Sequence, residues 1–257
     1  MKKLNALMLS GVTLLTAVTA NAEDYNRVAI SYDNVHFGMN KEMKADFFDD
    51  ATGGFSTNGV GLNYIHGFSI SSSLPMFIET GLNFNFGFGS TKLDSEKEDL
   101  GYNGYWISGE SKMKSQNINF QVPVNFVYKF KITDDVTISP YIGLNFKLNL
   151  VTKYKNEIKY DTNIPANLLE QAGVDLENES GDWINVYSSD EKHMGDKDFT
   201  WNRFQMGWHL GVGVQYKPFY LGVQFGTDFI PAYKKDIEKE TYKVSTSNLK
   251  ISLGYCF

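Results

Sequence analysis

From Met76 to Gly89 the chain changes polarity at nearly every residue. Met76, Ile78, Thr80, Leu82, Phe84, Phe86 and Phe88 fall on one side. Phe77, Glu79, Gly81, Asn83, Asn85, Gly87 and Gly89 fall on the other. A helix, with about 3.6 residues per turn, would spread both sets around its circumference, whereas a strand separates them. The same period recurs in Ile118–Phe130, Val136–Leu150, Phe204–Tyr216, Phe219–Phe229 and Leu249–Phe257, and more weakly in Val28–Tyr32 and Val60–Phe68. Eight strands are therefore predicted. Most run to ten residues or more, while a strand of a globular protein usually has about five or six. A tilted strand that crosses a bilayer needs about 9–11.

The predicted links alternate in length. Short ones fall near 69–75, 131–135 and 217–218, and long ones near 38–55, 90–115, 156–199 and 232–245. Short and long links in turn are the pattern of an up-and-down barrel with one plain rim and one elaborated rim, both chain ends lying on the plain side.

Alternation alone does not say which side of the sheet is wet. A soluble lipocalin-like barrel turns its apolar side inward and a membrane barrel turns it outward. The charges decide. The apolar rows of the strand cores carry no Asp, Glu, Lys or Arg. The other rows carry Arg27, Glu79, Lys129, Lys147, Arg203, Asp228 and Lys250, together with many glycines. Placing Lys or Arg against lipid at the midplane costs roughly 2–4 kcal/mol each, so these charges belong to the interior. The expected fold is all-β, an eight-stranded antiparallel up-and-down transmembrane β-barrel. Its apolar rows match a band about 25 Å tall. Aromatic residues at the row ends suggest two interfacial girdles: Phe68, Tyr128, Phe130, Tyr216, Phe219, Tyr255 and Phe257 at one rim, and Phe37, Phe88, Phe120, Phe204 and Phe229 nearer the other.

Composition narrows the function. With 24 basic and 30 acidic residues the net charge is −6, which argues against nucleic acid as a partner. Cys256 is the one cysteine, so no internal disulfide or cysteine-rich metal site can form. Residues 1–22 combine Lys2 and Lys3, an apolar stretch from Leu4 to Val18 and the small-x-small site Ala20-Asn21-Ala22. They read as a cleaved signal peptide that sends the chain through the inner membrane, leaving one barrel domain over 23–257. Removing two lysines gives 22 − 30 = −8 for that domain.

The alternating apolar rows and the terminal aromatics Tyr255 and Phe257 resemble the Gram-negative outer-membrane protein beta-barrel domain family (PorT-like proteins), with the OmpA, OmpX and OmpW barrels as more distant analogues. The resemblance implies insertion into outer-membrane lipid. It also implies that the final aromatic is the signal read by the barrel-assembly machinery.

The candidate chemistry is sparse. His209 points inward but is followed by Gly211, not the serine that an outer-membrane lipid A deacylase would place there. Asp190, Glu191, His193, Asp196 and Asp198 have the residue types of an omptin-like protease, and equally those of a solvated acidic loop. No GxSxG, HExxH or phosphate-cradling glycine motif is present. Residues 156–199 hold eleven acids and three lysines, a net of 3 − 11 = −8. Asp175, Glu177, Glu179 and Asp182 are spaced somewhat like a calcium loop, but the glycine and closing glutamate of one are missing. Within that segment Pro165 to Ala172, followed by Gly173, predicts a short helix. Trp183, Ile184, Val186 and Tyr187 are expected to fold onto their neighbours.

No catalytic, cofactor or metal site is therefore assigned. The inward charges Arg27, Glu79, Lys147, Arg203, Asp228 and Lys250 are expected to pair and plug the bore, since eight strands enclose only enough room for side chains. Arg27 and Glu79 should meet near the plain rim, and Lys147 and Asp228 in the opposite half. The expected function is that of a small non-enzymatic outer-membrane barrel with long acidic surface loops in a structural or surface-binding role. The alternative is a narrow channel or transport barrel for small solutes or apolar compounds.

Overall fold

The computed structural model describes residues 24–47, 54–71, 74–173, 176–187, 201–237 and 239–257. The signal peptide expected at 1–22 and the protease-type residues 190–198 lie outside the described residues. Eight long strands form the ring: β1 (Tyr25–Met39), β2 (Gly54–Ser69), β3 (Met76–Asp99), β4 (Trp106–Tyr128), β5 (Val136–Thr162), β6 (Phe204–Tyr216), β7 (Phe219–Asp228) and β8 (Glu240–Cys256). Each pairs antiparallel with the next, and β8 returns to pair with β1. The seam is finished by two hydrogen bonds, Asn26 N–H to Phe257 O and Phe257 N–H to Asn26 O, both 2.9 Å. Closure leaves no open sheet edge in the ring, which is what a spanning sheet requires where no water can satisfy the backbone.

The stagger of the ring follows from the pairing. Stepping sideways from Tyr25, the partners are Gly67, Glu79, Asn125, Gly143, His209, Gly226, Asn248 and then Val35. One circuit thus climbs 35 − 25 = 10 residues, so the strands tilt against the barrel axis.

The apolar rows face outward along the ring. Ile30, Leu62, Leu82, Ile142, Leu210, Leu221 and Leu253 are among the exposed large hydrophobics. A continuous apolar belt of this extent calls for hydrocarbon around it. The interior carries the polar set, with Arg27, Asp33, Glu79, Lys147, His209, Gln205 and Lys250 all buried.

Three of the long links are shorter than the sequence suggests. The segment 90–115 is mostly ladder: β3 and β4 stay paired up to Asp99 and Trp106, and the turn between them places Gly101, Asn103 and Gly104 at positive φ. β5 runs on to Thr162 beside β4, and residues 233–237 pair back onto β8. Polar residues hid these extensions, because a strand in water does not need an apolar outward side. A one-residue bulge at Leu150 shifts the pairing between Ile118 and Asn119, so that above it Thr152 and Tyr154, not their odd-numbered neighbours, face the inside. Two short helices cap the elaborated end, α1 (Lys41–Phe47) and α2 (Ala166–Gln171). The second starts at Pro165 and stops at Gly173, whose φ of +67° is that of a left-handed residue.

Candidate functional site

The bore is built in three storeys. Nearest the chain ends, Arg27 grips Glu79 in parallel, Nη1 to Oε1 at 2.9 Å and Nη2 to Oε2 at 3.0 Å. The two residues sit on β1 and β3 and meet across β2, where Gly67 pairs with Glu79. Glu79 also accepts from the Tyr25 hydroxyl and, at 3.2 Å, from Asn125 Nδ2. The guanidinium lies 3.9 Å from the centre of the Tyr220 ring. A buried carboxylate is tolerable only with such a set of partners.

The middle storey holds two more pairs. Lys250 and Asp33 are direct cross-strand partners on β8 and β1, 3.4 Å apart. Lys147 of β5 pairs with Asp228 of β7 across β6, over Gly207, the ladder partner of Asp228. Amides link the rest: Asn119 receives from Asn85 and Gln121, Asn117 reaches Thr152, and Asn149 reaches Gln205, which in turn donates to Thr246.

The glycines of the inner rows make room for these large neighbours. A Cβ on Gly213 or Gly222 would enter the Tyr220 ring, one on Gly211 the Tyr141 ring and one on Gly67 the Tyr25 ring. The space they leave is thus occupied by tyrosines.

The third storey reverses the polarity. Past Asp33 the inward residues of β1 become Val35, Phe37 and Met39. They pack with Phe55, Met113, Tyr233 and Val244, and Trp201 lies against them. An apolar lid therefore sits inside the wall above the ionic bore. Phe37, expected in the outer girdle, belongs to this lid: it is buried, because it keeps step with Arg27, Ser31 and Asp33 and so faces inward.

The six sequence-predicted charges do not all meet. Arg27, Glu79, Lys147, Asp228 and Lys250 line the bore. Arg203 does not: it precedes β6 at the mouth, is exposed, donates to Leu150 O at 3.1 Å and covers the Tyr187 ring at 4.5 Å. At that point the ladder has ended and the interior is already apolar. Asp33, the partner of Lys250, is not among the six, although its odd number in β1 marks it as inward. Tyr255 and Phe257 are exposed on the outside of the plain rim. Cys256 is a buried free thiol.

His209 offers no dyad. Its Nε2 lies 2.6 Å from Asn125 Oδ1, the Tyr141 ring stands edge-on to it at 6.1 Å, and Nδ1 has no protein partner. Of the calcium-type acids, Asp175 is outside the described residues, and Glu179 and Ser180 pair with Ile158 and Glu157 of β5. Among the described residues no three His, Cys, Asp or Glu side chains gather as metal ligands would. The segment 183–187 folds onto the wall: Ile184 pairs with Tyr154, Val186 is buried and the Tyr187 hydroxyl meets Thr152 Oγ1 at 3.0 Å.

Outside the lipid band, Glu157 stands between Lys114 and Lys155, at 2.8 Å from each. Hydrogen bonds from these two ammonium groups hold its carboxyl down at about 2. Glu110 is held below the ordinary carboxylate range in the same way, mainly by Lys112.

A closed ring with a hydrocarbon-facing exterior and an ion-paired centre defines an integral membrane β-barrel. The chain belongs to the outer membrane protein beta-barrel domain family, which matches residues 28–232, and its place is the outer membrane. It is similar to several solved structures. Ail, the attachment invasion locus protein of Yersinia pestis, is 13% identical, with 92% of this chain and 100% of that one covered and a TM-score of 0.31. Neisserial surface protein A is 10% identical, with 90% and 96% covered and a TM-score of 0.34. A major outer membrane protein from Thermus thermophilus is 14% identical, with 90% and 99% covered and a TM-score of 0.29. No curated protein matches the chain.

Proposed function

We propose that this is a non-enzymatic barrel with a blocked bore, which carries folded strand extensions to the cell surface in a structural or surface-binding role. The short turns and chain ends then face the periplasm and the extensions face outward. The observation that carries this reading is the filling of the bore. Three opposite-charge pairs, Arg27–Glu79, Asp33–Lys250 and Lys147–Asp228, neutralise one another inside. Tyrosines take up the space beside the glycines, and the lid of Phe37, Phe55 and Trp201 lies above. An ion would have to break a buried pair and then cross an apolar layer, and both steps are costly. Recording from the purified barrel in planar bilayers tests this: flat traces are expected, and a steady conductance would overturn it.

The alternative, a narrow path for small solutes, has one observation in its favour. The side-chain oxygens of Asn83, Asn85, Asn145 and Ser115 are buried in the bore without a protein partner, and a file of water along them would satisfy all four. We further propose that residues 1–22 are removed as a signal peptide, that 23–257 is one barrel domain, and that Tyr255 and Phe257 present the signal read by the barrel-assembly machinery.

A further inference from the structure

The outward side of the β3–β4–β5 extension has a charge unlike the rest of the chain. Directly above the outermost apolar rung, Ile118 opposite Val151, come Gln116 opposite Lys153, Lys114 opposite Lys155, Lys112 opposite Glu157 and Glu110 opposite Lys159, with Lys92 of β3 opposite Lys112. Six lysines and two glutamates leave 6 − 2 = +4 on this face, in a chain whose net charge is −6. Farther up the same face come Lys97, Asp99 and Asp161, a net of 1 − 2 = −1, with Lys97 lying over the Trp106 ring at 4.3 Å, so the excess is concentrated low on the extension. Two of the rungs, Lys114 opposite Lys155 and Lys92 opposite Lys112, set like charges side by side, each pair sharing a single glutamate. Glu110 and Glu157 each bridge two lysines. Lys153 has no ion-pair partner among the described residues.

The direction of this face is fixed by the residues between. Met113 and Tyr154 point into the apolar lid, so their neighbours along the chain, Lys112, Lys114, Lys153 and Lys155, point away from the barrel axis, along the plane of the membrane. At about 3.3 Å per residue, Lys153 lies about 7 Å and Lys155 about 13 Å along the strand beyond Val151, and somewhat less in height because the strands tilt. That is the zone of lipid headgroups, just beyond the hydrocarbon.

We propose that this lysine face is a docking surface for phosphorylated lipid headgroups of the outer leaflet in which the barrel sits. Lysines on neighbouring strands, whose Cβ atoms stand about 5 Å apart, can bring their ammonium groups to the oxygens of one phosphate or to two phosphates on one headgroup. The inference rests on the orientation proposed above but not on a blocked bore, and binding by the purified barrel does not depend on orientation.

The test uses the full barrel in detergent micelles and titrates a bis-phosphorylated lipid A against its dephosphorylated form. The phosphorylated lipid is expected to bind at least tenfold more tightly, and to lose that advantage in 0.5 M salt, roughly as screening over about 4 Å implies. Combining Lys112→Gln, Lys114→Gln, Lys153→Gln and Lys155→Gln should bring both lipids to one affinity. The four Lys→Arg replacements should keep the preference, as should Lys131→Gln with Lys217→Gln at the opposite end. Equal binding of the two lipids by the unaltered barrel, or an unchanged preference in the quadruple Gln variant, overturns the proposal. Displacement of the lipid by inositol hexakisphosphate at equal concentration overturns the lipid as source. Should the quadruple variant not fold, Lys153→Gln alone must still weaken the preference severalfold, and failure to do so counts against the proposal.

Discussion

Phe37 lies flat against Phe55, their ring centres 4.6 Å apart and their planes 9° from parallel, two rungs above the last ionised residue of β1. The stack marks where the inside of the wall turns from a salt-bridged bore into a small apolar core standing outside the membrane. Replacing Phe37 by alanine removes the centre of that core, and truncations of this kind cost about 3–5 kcal/mol. Because the lid is above the lipid band, the loss should fall on the extensions. Faster proteolysis at 90–115 and 233–245 is expected while the heat-resistant band on unboiled gels persists. Loss of that band would show that the lid holds the whole ring.

The Arg27–Glu79 pair predicts an asymmetry between single and double replacement. Glu79→Gln or Arg27→Met alone strands a buried charge, worth about 3–5 kcal/mol of destabilisation, whereas replacing both with apolar residues of similar volume should recover most of it. Urea unfolding in lipid vesicles reads the three variants directly. Additive losses in the double variant would mean that the two residues act separately.

Gly213 and Gly222 exist to admit the Tyr220 ring. Gly213→Val should therefore destabilise the barrel by about 1–3 kcal/mol through overpacking, and Tyr220→Ala in the same chain should relieve part of the loss. A lack of any rescue would mean that the valine fails for another reason.

Glu157 supplies a pH test outside the membrane. Its carboxyl is depressed from 4.5 to about 2 by Lys114 and Lys155, so its contribution is complete above about pH 4.5 and disappears as pH falls toward 2. The residue is half-buried at the surface beside two lysines, so the effect is small and salt-sensitive. Carbon-13 titration of its carboxyl group should give a midpoint well under 4.5 that climbs in Lys114→Gln. A normal midpoint in the unaltered chain would contradict the bridged geometry.

Removing Phe257 should lower the amount of assembled barrel in the outer membrane, following the resemblance of Tyr255 and Phe257 to a terminal assembly signal. Membrane fractionation measures it, and undiminished levels would count against that role.

The ring was legible in the sequence because hydrocarbon on one side and packed polar groups on the other impose opposite demands on alternate residues. Eight rows, their direction and the inward charges all follow from that rule. The rule expires where lipid ends. Above the band the outward side can be charged: Asp94–Asp99 has no apolar row, and Lys153–Thr162 sets charged residues outward against Tyr154, Ile158 and Tyr160, the reverse of the lipid-facing rows, so their pairing emerges only from the fold. Parity alone places Phe37 and Asp33 inside, whereas the match of Asp33 to Lys250 is set by the register of the seam. Which charges face each other across an intervening glycine strand depends on the ten-residue climb of the circuit, and that is a property of the closed ring.

The seam between β1 and β8 joins thirteen consecutive positions, Arg27 to Met39 against Cys256 to Val244. Until the final strand arrives, those amides and carbonyls of the first that turn away from β2 have no mate, and oil offers none. The polypeptide therefore has no stable half-built form inside a bilayer: its beginning must wait, sheltered by something else, for its end.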